Sequence, residues 1–90
     1  MGNQKQKINI SLKKAQSLIS KIIAMQADNK YCIDIMQQNL AAIGLLKSAH
    51  QMLLESHLNS CFRKAMETSN EKRKQEMISE ILKVGKLASK

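Results

Sequence analysis

Ninety residues carry 15 Lys and Arg against seven Asp and Glu, a formal net charge of +8, with no proline, no tryptophan, one tyrosine and one phenylalanine. A chain this short makes one domain at most, spanning residues 1–90, and buries a thin core, so oligomerisation is a natural way to hide the rest. The scarcity of aromatics beside plentiful aliphatics and six methionines excludes a β-rich fold in favour of an all-α one, and the positive field makes nucleic acid the first partner to suspect.

Residues 1–7 are polar and basic without periodicity and read as a flexible tail. From Ile8 the positions Ile8, Leu12, Ala15, Ile19 and Ile22, with Leu18 and Met25 beside them, follow a helical stripe that Asn9 or Ser11 can cap. This first helix runs to about Ala27, and Asp28 and Asn29 break the pattern and are expected to cap the second, folding the first back as an antiparallel neighbour. The second helix is long. Cys32, Met36, Leu40, Ile43, Leu46, His50, Leu53, His57 and Cys61 run along one seam, widened by Leu54 and Leu58, and the helix is expected to reach Met66. Thr68, Ser69 and Asn70 supply a turn, with Thr68 and Glu71 at capping-box spacing, before a third helix that buries Met77, Ile78, Ile81, Leu82, Val84 and Leu87.

The second helix is where the chemistry lies. At ~100° per residue, His57 falls ~20° behind Cys32 and Cys61 ~20° ahead of it, so both cysteines share a face with a histidine. His57 and Cys61, four apart, can hold one ion together. Cys32 cannot join them within one chain, because it lies ~37 Å away along the axis. A second copy of the helix running antiparallel brings Cys32 of one chain level with the His57/Cys61 pair of the other. The two-fold axis then falls between Leu45 and Leu46 beside Gly44, where a missing side chain lets two helices approach. Two thiolates and one imidazole suit a soft ion, Cu(I) before Zn(II), since no fourth ligand is evident.

Other residues carry plainer readings. A His-x-x-x-Cys pair alone is as well explained by packing, since cysteine is among the most buried residue types. His50 also lies on the seam, but its antiparallel partners would be Ala41 and Ala42, so it reads as a packed or solvent-edge histidine. The methionines are dispersed over all three helices as core filler. Lysines fall into the groups Lys5/Lys7, Lys13/Lys14/Lys21, Arg63/Lys64 and Lys72/Arg73/Lys74, each a solvated face by itself; the net charge is what makes a phosphate-binding face of them. No glycine-rich phosphate loop or paired carboxylate set suggests catalysis. Polar residues interrupt every apolar segment, so neither a signal peptide nor a membrane span is expected, and a cytoplasmic protein would keep both cysteines as thiols or metal ligands.

Tyr31-Cys32-Ile33-Asp34-Ile35, then Gln38, Ala41, Gly44, the block Leu54-Glu55-Ser56-His57-Leu58 and Cys61 resemble the copper-sensitive operon repressor (CsoR) family, whose relatives sense nickel/cobalt, formaldehyde or persulfides. The resemblance covers roughly residues 8–88 and is strongest over 31–61. It implies a three-helix protomer, an antiparallel dimer through helix 2 forming a four-helix bundle, and a dimer of dimers. It also implies that Cys32, His57 and Cys61 match the copper branch residue by residue, with Tyr31 and a helix 3 glutamate, Glu76 or Glu80, as an outer shell. Two positions depart from the family pattern: the helix 1 motif Arg-Ile-x-Gly-Gln stands here as Lys14-Ala15-Gln16-Ser17-Leu18, and Ile43 replaces a frequent helix 2 arginine.

The expected function is a Cu(I)-responsive repressor that binds operator double-stranded DNA when metal-free and releases it on Cu(I) binding. Lys13, Lys14, Lys21 and Lys47 are the expected phosphate contacts, and the working form a homodimer or homotetramer. Two alternatives stand beside it: a thiol-based sensor of persulfides or aldehydes on the same fold, and a helical copper-binding protein without DNA binding.

Overall fold

Helix α1 (Gly2–Ala27) begins at Gly2 and not at Ile8 in the computed structural model, which describes residues 2–88. The stretch expected as a flexible tail is therefore helical over residues 2–7. Gln4, Lys5, Gln6 and Lys7 are good helix formers that extend a helix nucleated by the apolar stripe behind them. Asn9 and Ser11 accordingly lie inside α1 and cap nothing.

Asn29 has a φ of 54°, the left-handed region that asparagine tolerates better than most side chains. Its N–H reaches the carbonyl of Gln26 at 3.3 Å, and the N–H of Lys30 reaches that of Met25 at 3.0 Å. This pair of bonds is a Schellman closure, so Asn29 ends α1 and does not start α2. Helix α2 (Cys32–His57) starts instead at Tyr31, whose carbonyl accepts the N–H of Ile35 at 3.2 Å, with Asp34 in the first turn complementing the helix dipole.

Beyond His57 the helical run changes period. Residues Leu58–Phe62 form a π-helical turn, followed by α3 (Arg63–Met66). The flanking residues Phe62 and Arg63 keep right-handed helical angles, so the chain continues to Met66 as expected, with one residue more in the turn that carries Cys61. The turn before α4 (Glu71–Ala88) is capped by Asn70, whose Oδ1 accepts the N–H of Arg73 at 3.1 Å. Thr68, expected as the cap, acts one step earlier: its Oγ1 accepts the N–H of Asn70 at 3.4 Å.

The chain divides into two compact units, Met1–Ala49 and His50–Lys90. In the first, Ile8, Ala15, Ala42 and Ala49 are buried, while Leu18, Ile22, Met25, Ile35 and Leu45 are half-buried. An alanine has no reach, so its burial requires another backbone close over it. In the second, Met77 is buried and Ile81 half-buried, whereas Ile78, Leu82 and Val84 are exposed; Leu87 lies outside the residues whose side chains are described.

The α2 seam itself faces outward. Met36, Leu40, Ile43, Leu46 and Leu53 are all exposed, Leu40 to 66%. Ala42 lies ~120° round the helix from Met36, so α2 has two apolar faces, one used inside the chain and one left open. The secondary structure is all helix, with no strand among the described residues. No helix among them is long and apolar enough to cross a membrane.

Candidate metal centre and nucleic-acid interface

The π turn brackets the pair of side chains that one chain offers to an ion: His57 ends α2 and Cys61 lies within the next five residues. A π turn is rare and is found disproportionately at functional sites. Two side-chain features accompany it. The rings of His57 and Phe62 lie 6.3 Å apart between centroids at an angle of 56°, although five α-helical steps would set them ~140° apart round the axis. Ser60 Oγ donates to the Ser56 carbonyl at 2.7 Å, giving that acceptor a side-chain donor within the widened turn. The same hydroxyl is 3.8 Å from Cys61 Sγ.

Cys61 is exposed and free, and His57 is half-buried with no hydrogen bond among the described residues. Cys32, the first residue of α2, is likewise exposed and free, and Tyr31 before it is exposed to 67%. No three His, Cys, Asp or Glu side chains form a metal-holding group among the described residues.

The glutamates expected as an outer shell are engaged elsewhere. Arg73 Nη1 lies 3.3 Å from Glu76 Oε2 and 4.0 Å from Glu80 Oε1, all three side chains being about half-exposed or more. Spacing along α4 permits this, since residues three and four apart are neighbours on a helix. Lys74 pairs with Glu71 at 3.4 Å in the same way.

Sequence reasoning passed over one residue at this end. His50, read as a packed or edge histidine, is half-buried and places Nε2 at 3.1 Å from the carbonyl oxygen of Val84 on α4. A cavity of about 190 Å³ is lined by His50, Leu53, Leu54, His57 and Val84. The seam periodicity put both histidines on one face, which was the available signal; the acceptor on α4 has no mark in the sequence, because it is a backbone carbonyl.

Among the basic residues, the structure brings together Lys13, Lys14 and Lys21. With Ser17 and Leu18 they line an open depression of about 410 Å³ on α1, and none of the three makes an ion pair among the described residues. Lys47, the fourth expected contact, is exposed on α2 and does not line that depression.

Comparison with known proteins accords with this geometry. A family profile described as metal-sensitive transcriptional repressor matches residues 4–86. The copper-sensing transcriptional repressor CsoR of Mycobacterium ulcerans (strain Agy99) is 36% identical over 55 residues, 61% of this chain and 47% of that protein. CsoR of Mycobacterium tuberculosis (strain H37Rv) is 33% identical over 55 residues, 61% and 46% of the two chains. The copper-sensing transcriptional repressor RicR of the same strain is 33% identical over 67 residues, 72% and 70% of the two. The chain thus spans about half the length of the CsoR proteins it matches. No solved structure matches it. With the profile running through both compact units, the chain belongs to the CsoR family of metal-sensitive transcriptional repressors, regulators and not enzymes.

Proposed function

We propose that the protein is a Cu(I)-responsive transcriptional repressor working as an antiparallel dimer, in which Cys32 of one chain and His57 and Cys61 of the other hold the ion. The observation that carries this reading is the state of the three side chains: two free, exposed thiols and an imidazole without a hydrogen bond, at the start of α2 and round the π turn that follows it. That donor set fits a soft ion of low coordination number. When bound, Cu(I) would supply a link between the two chains.

The residues do the rest. Both thiols give up their protons to solvent and become thiolates, so affinity rises with pH. His57 ties the ligand set to the π turn and hence to α3 and α4. The open apolar seam of α2, with Met36, Leu40 and Ile43 exposed, supports a second copy as its cover, and a dimer of dimers is the assembly that the family resemblance implies. Residues 1–90 then act as one regulatory domain in a cytoplasmic repressor, and the metal-free dimer is the form that holds operator DNA, through Lys13, Lys14 and Lys21, with Lys47 outside that cluster.

Titration of the reduced protein with Cu(I), Zn(II) and Ni(II), following binding to duplex DNA from upstream of its own gene, tests the reading. Cys32→Ala is expected to lose Cu(I) affinity. His57→Ala is expected to keep Cu(I) on two thiolates while losing much of the effect on DNA. The exposure of both thiols favours a second reading, a persulfide or aldehyde sensor, and full DNA release from His57→Ala would select it.

A further inference from the structure

The link between α2 and α4 in this chain is His50. Glu76 and Glu80 are held by Arg73, at 3.3 and 4.0 Å, on the exposed side of α4. His50 Nε2 lies 3.1 Å from the Val84 carbonyl oxygen, 34 residues further along the chain. A carbonyl can only accept, so this hydrogen bond assigns the His50 proton to Nε2. Val84 lies one turn from the end of α4 at Ala88, where carbonyls run out of intrahelical donors, so the imidazole supplies a donor where the helix begins to lack its own.

The same side chain shares a space with His57. Seven residues apart, the two histidines lie ~20° from one another round α2. Both line the cavity of about 190 Å³ whose remaining walls are Leu53, Leu54 and Val84. A water molecule takes ~30 Å³ of liquid volume, so the cavity leaves room for an imidazole to turn without a clash. Val84 stands on both counts, as a wall beside His57 and as the acceptor of His50.

We infer that His50 is a positioning residue that transmits the state of His57 to α4: it pins Val84 across a cavity that His57 must repack when its ring turns to meet a ligand. The inference rests on the metal-sensing reading above. His50 touches neither metal nor DNA in this scheme. It sets how far α4 moves when His57 does, because a hydrogen bond to the α4 backbone transmits displacement that a loose apolar contact would absorb. Coupling of this kind is a free energy between two sites and disappears when the connecting element is cut, even if each site still binds its ligand.

The experiment uses the full chain with His50→Ala, His50→Leu and His50→Gln. Leu fills the space without a donor, which guards against a His50→Ala variant that fails to fold; Gln restores a side-chain N–H. Three quantities are measured for each: Cu(I) affinity, affinity for the upstream duplex with and without Cu(I), and hydrogen exchange of the α4 amides in the metal-free protein. Ala and Leu are expected to leave Cu(I) affinity within about twofold, to cut the ratio of DNA affinities by about tenfold (~1.4 kcal/mol), and to speed exchange near the end of α4. Gln is expected to recover the parent on the last two. If Ala and Leu keep the parent's ratio while the parent responds to Cu(I), the role of His50 is overturned and the metal-sensing reading stands. If the parent's DNA binding ignores Cu(I), the metal-sensing reading falls and takes this role with it. Parent-like exchange in both Ala and Leu would show that His50 does not hold α4 at all.

Discussion

Replacing Lys13 and Lys14 by alanine tests which basic face meets DNA. Both are exposed, line one depression with Lys21, and make no ion pair among the described residues. The basic run on α4 differs: Arg73 is matched by Glu76 and Glu80, and Lys74 by Glu71. A cation already beside a carboxylate displaces fewer counterions when a phosphate arrives. Each phosphate contact contributes a slope of about −0.9 in log affinity against log salt. Losing both lysines from both chains of a dimer removes ~3.6 from the slope, so between about 50 and 200 mM salt the parent should lose ~150-fold more affinity than the variant. Arg73→Gln/Lys74→Gln should change the slope by less than about 1. Fluorescence anisotropy on one duplex at four or five salt concentrations reads both numbers. A Lys13→Ala/Lys14→Ala slope equal to the parent's, or an α4 variant as flat as the α1 variant, would refute the assignment.

Asn70→Ala removes the acceptor of the Arg73 N–H and should cost ~1 kcal/mol, a fall of about 4–8 °C in thermal midpoint by circular dichroism, with Asn70→Asp close to the parent. Asn29→Val forces a β-branched side chain to φ 54° and should cost ~1–2 kcal/mol, whereas Asn29→Gly should be neutral or slightly stabilising; chemical denaturation separates them. At Gly44 a Cβ would meet nothing within 4 Å in the chain itself. Gly44→Leu should therefore strengthen α2 by up to ~1 kcal/mol of helix propensity while weakening association, a contrast of signs that sedimentation and denaturation together would detect.

The helices were legible because apolar residues recur at helical steps and proline is absent, and the ends were not. Asn29 stops α1 where it was expected to start α2: asparagine serves either purpose, and only the backbone angle decides. Asn70 took the cap from Thr68 for a similar reason, since both side chains can accept an N–H and the choice depends on where the first turn closes. The α2 periodicity ran two faces together, the Ala42/Ala49 face used within the chain and the Met36/Leu40/Ile43 seam left open. Of the candidate site, Cys32, His57 and Cys61 were legible as residues on one stripe. The π turn was not, because a change of helical period arises from competing backbone and side-chain acceptors and leaves no composition signal. The glutamates went astray through a neighbour: Arg73 is close enough on α4 to claim both.

The π turn also changes what a deletion in this region means. Residues 58–62 hold one residue beyond an α-helical turn, so taking out Asn59 would leave a chain able to close the gap as ordinary α-helix. The shortening would be small, ~1.5 Å, but everything downstream would rotate ~100° about the helix axis. Val84 would then be carried out of reach of His50, and Phe62 away from His57. A lost residue here thus acts as a turn of the wrist rather than a trim, and the length of this segment is as constrained as its composition.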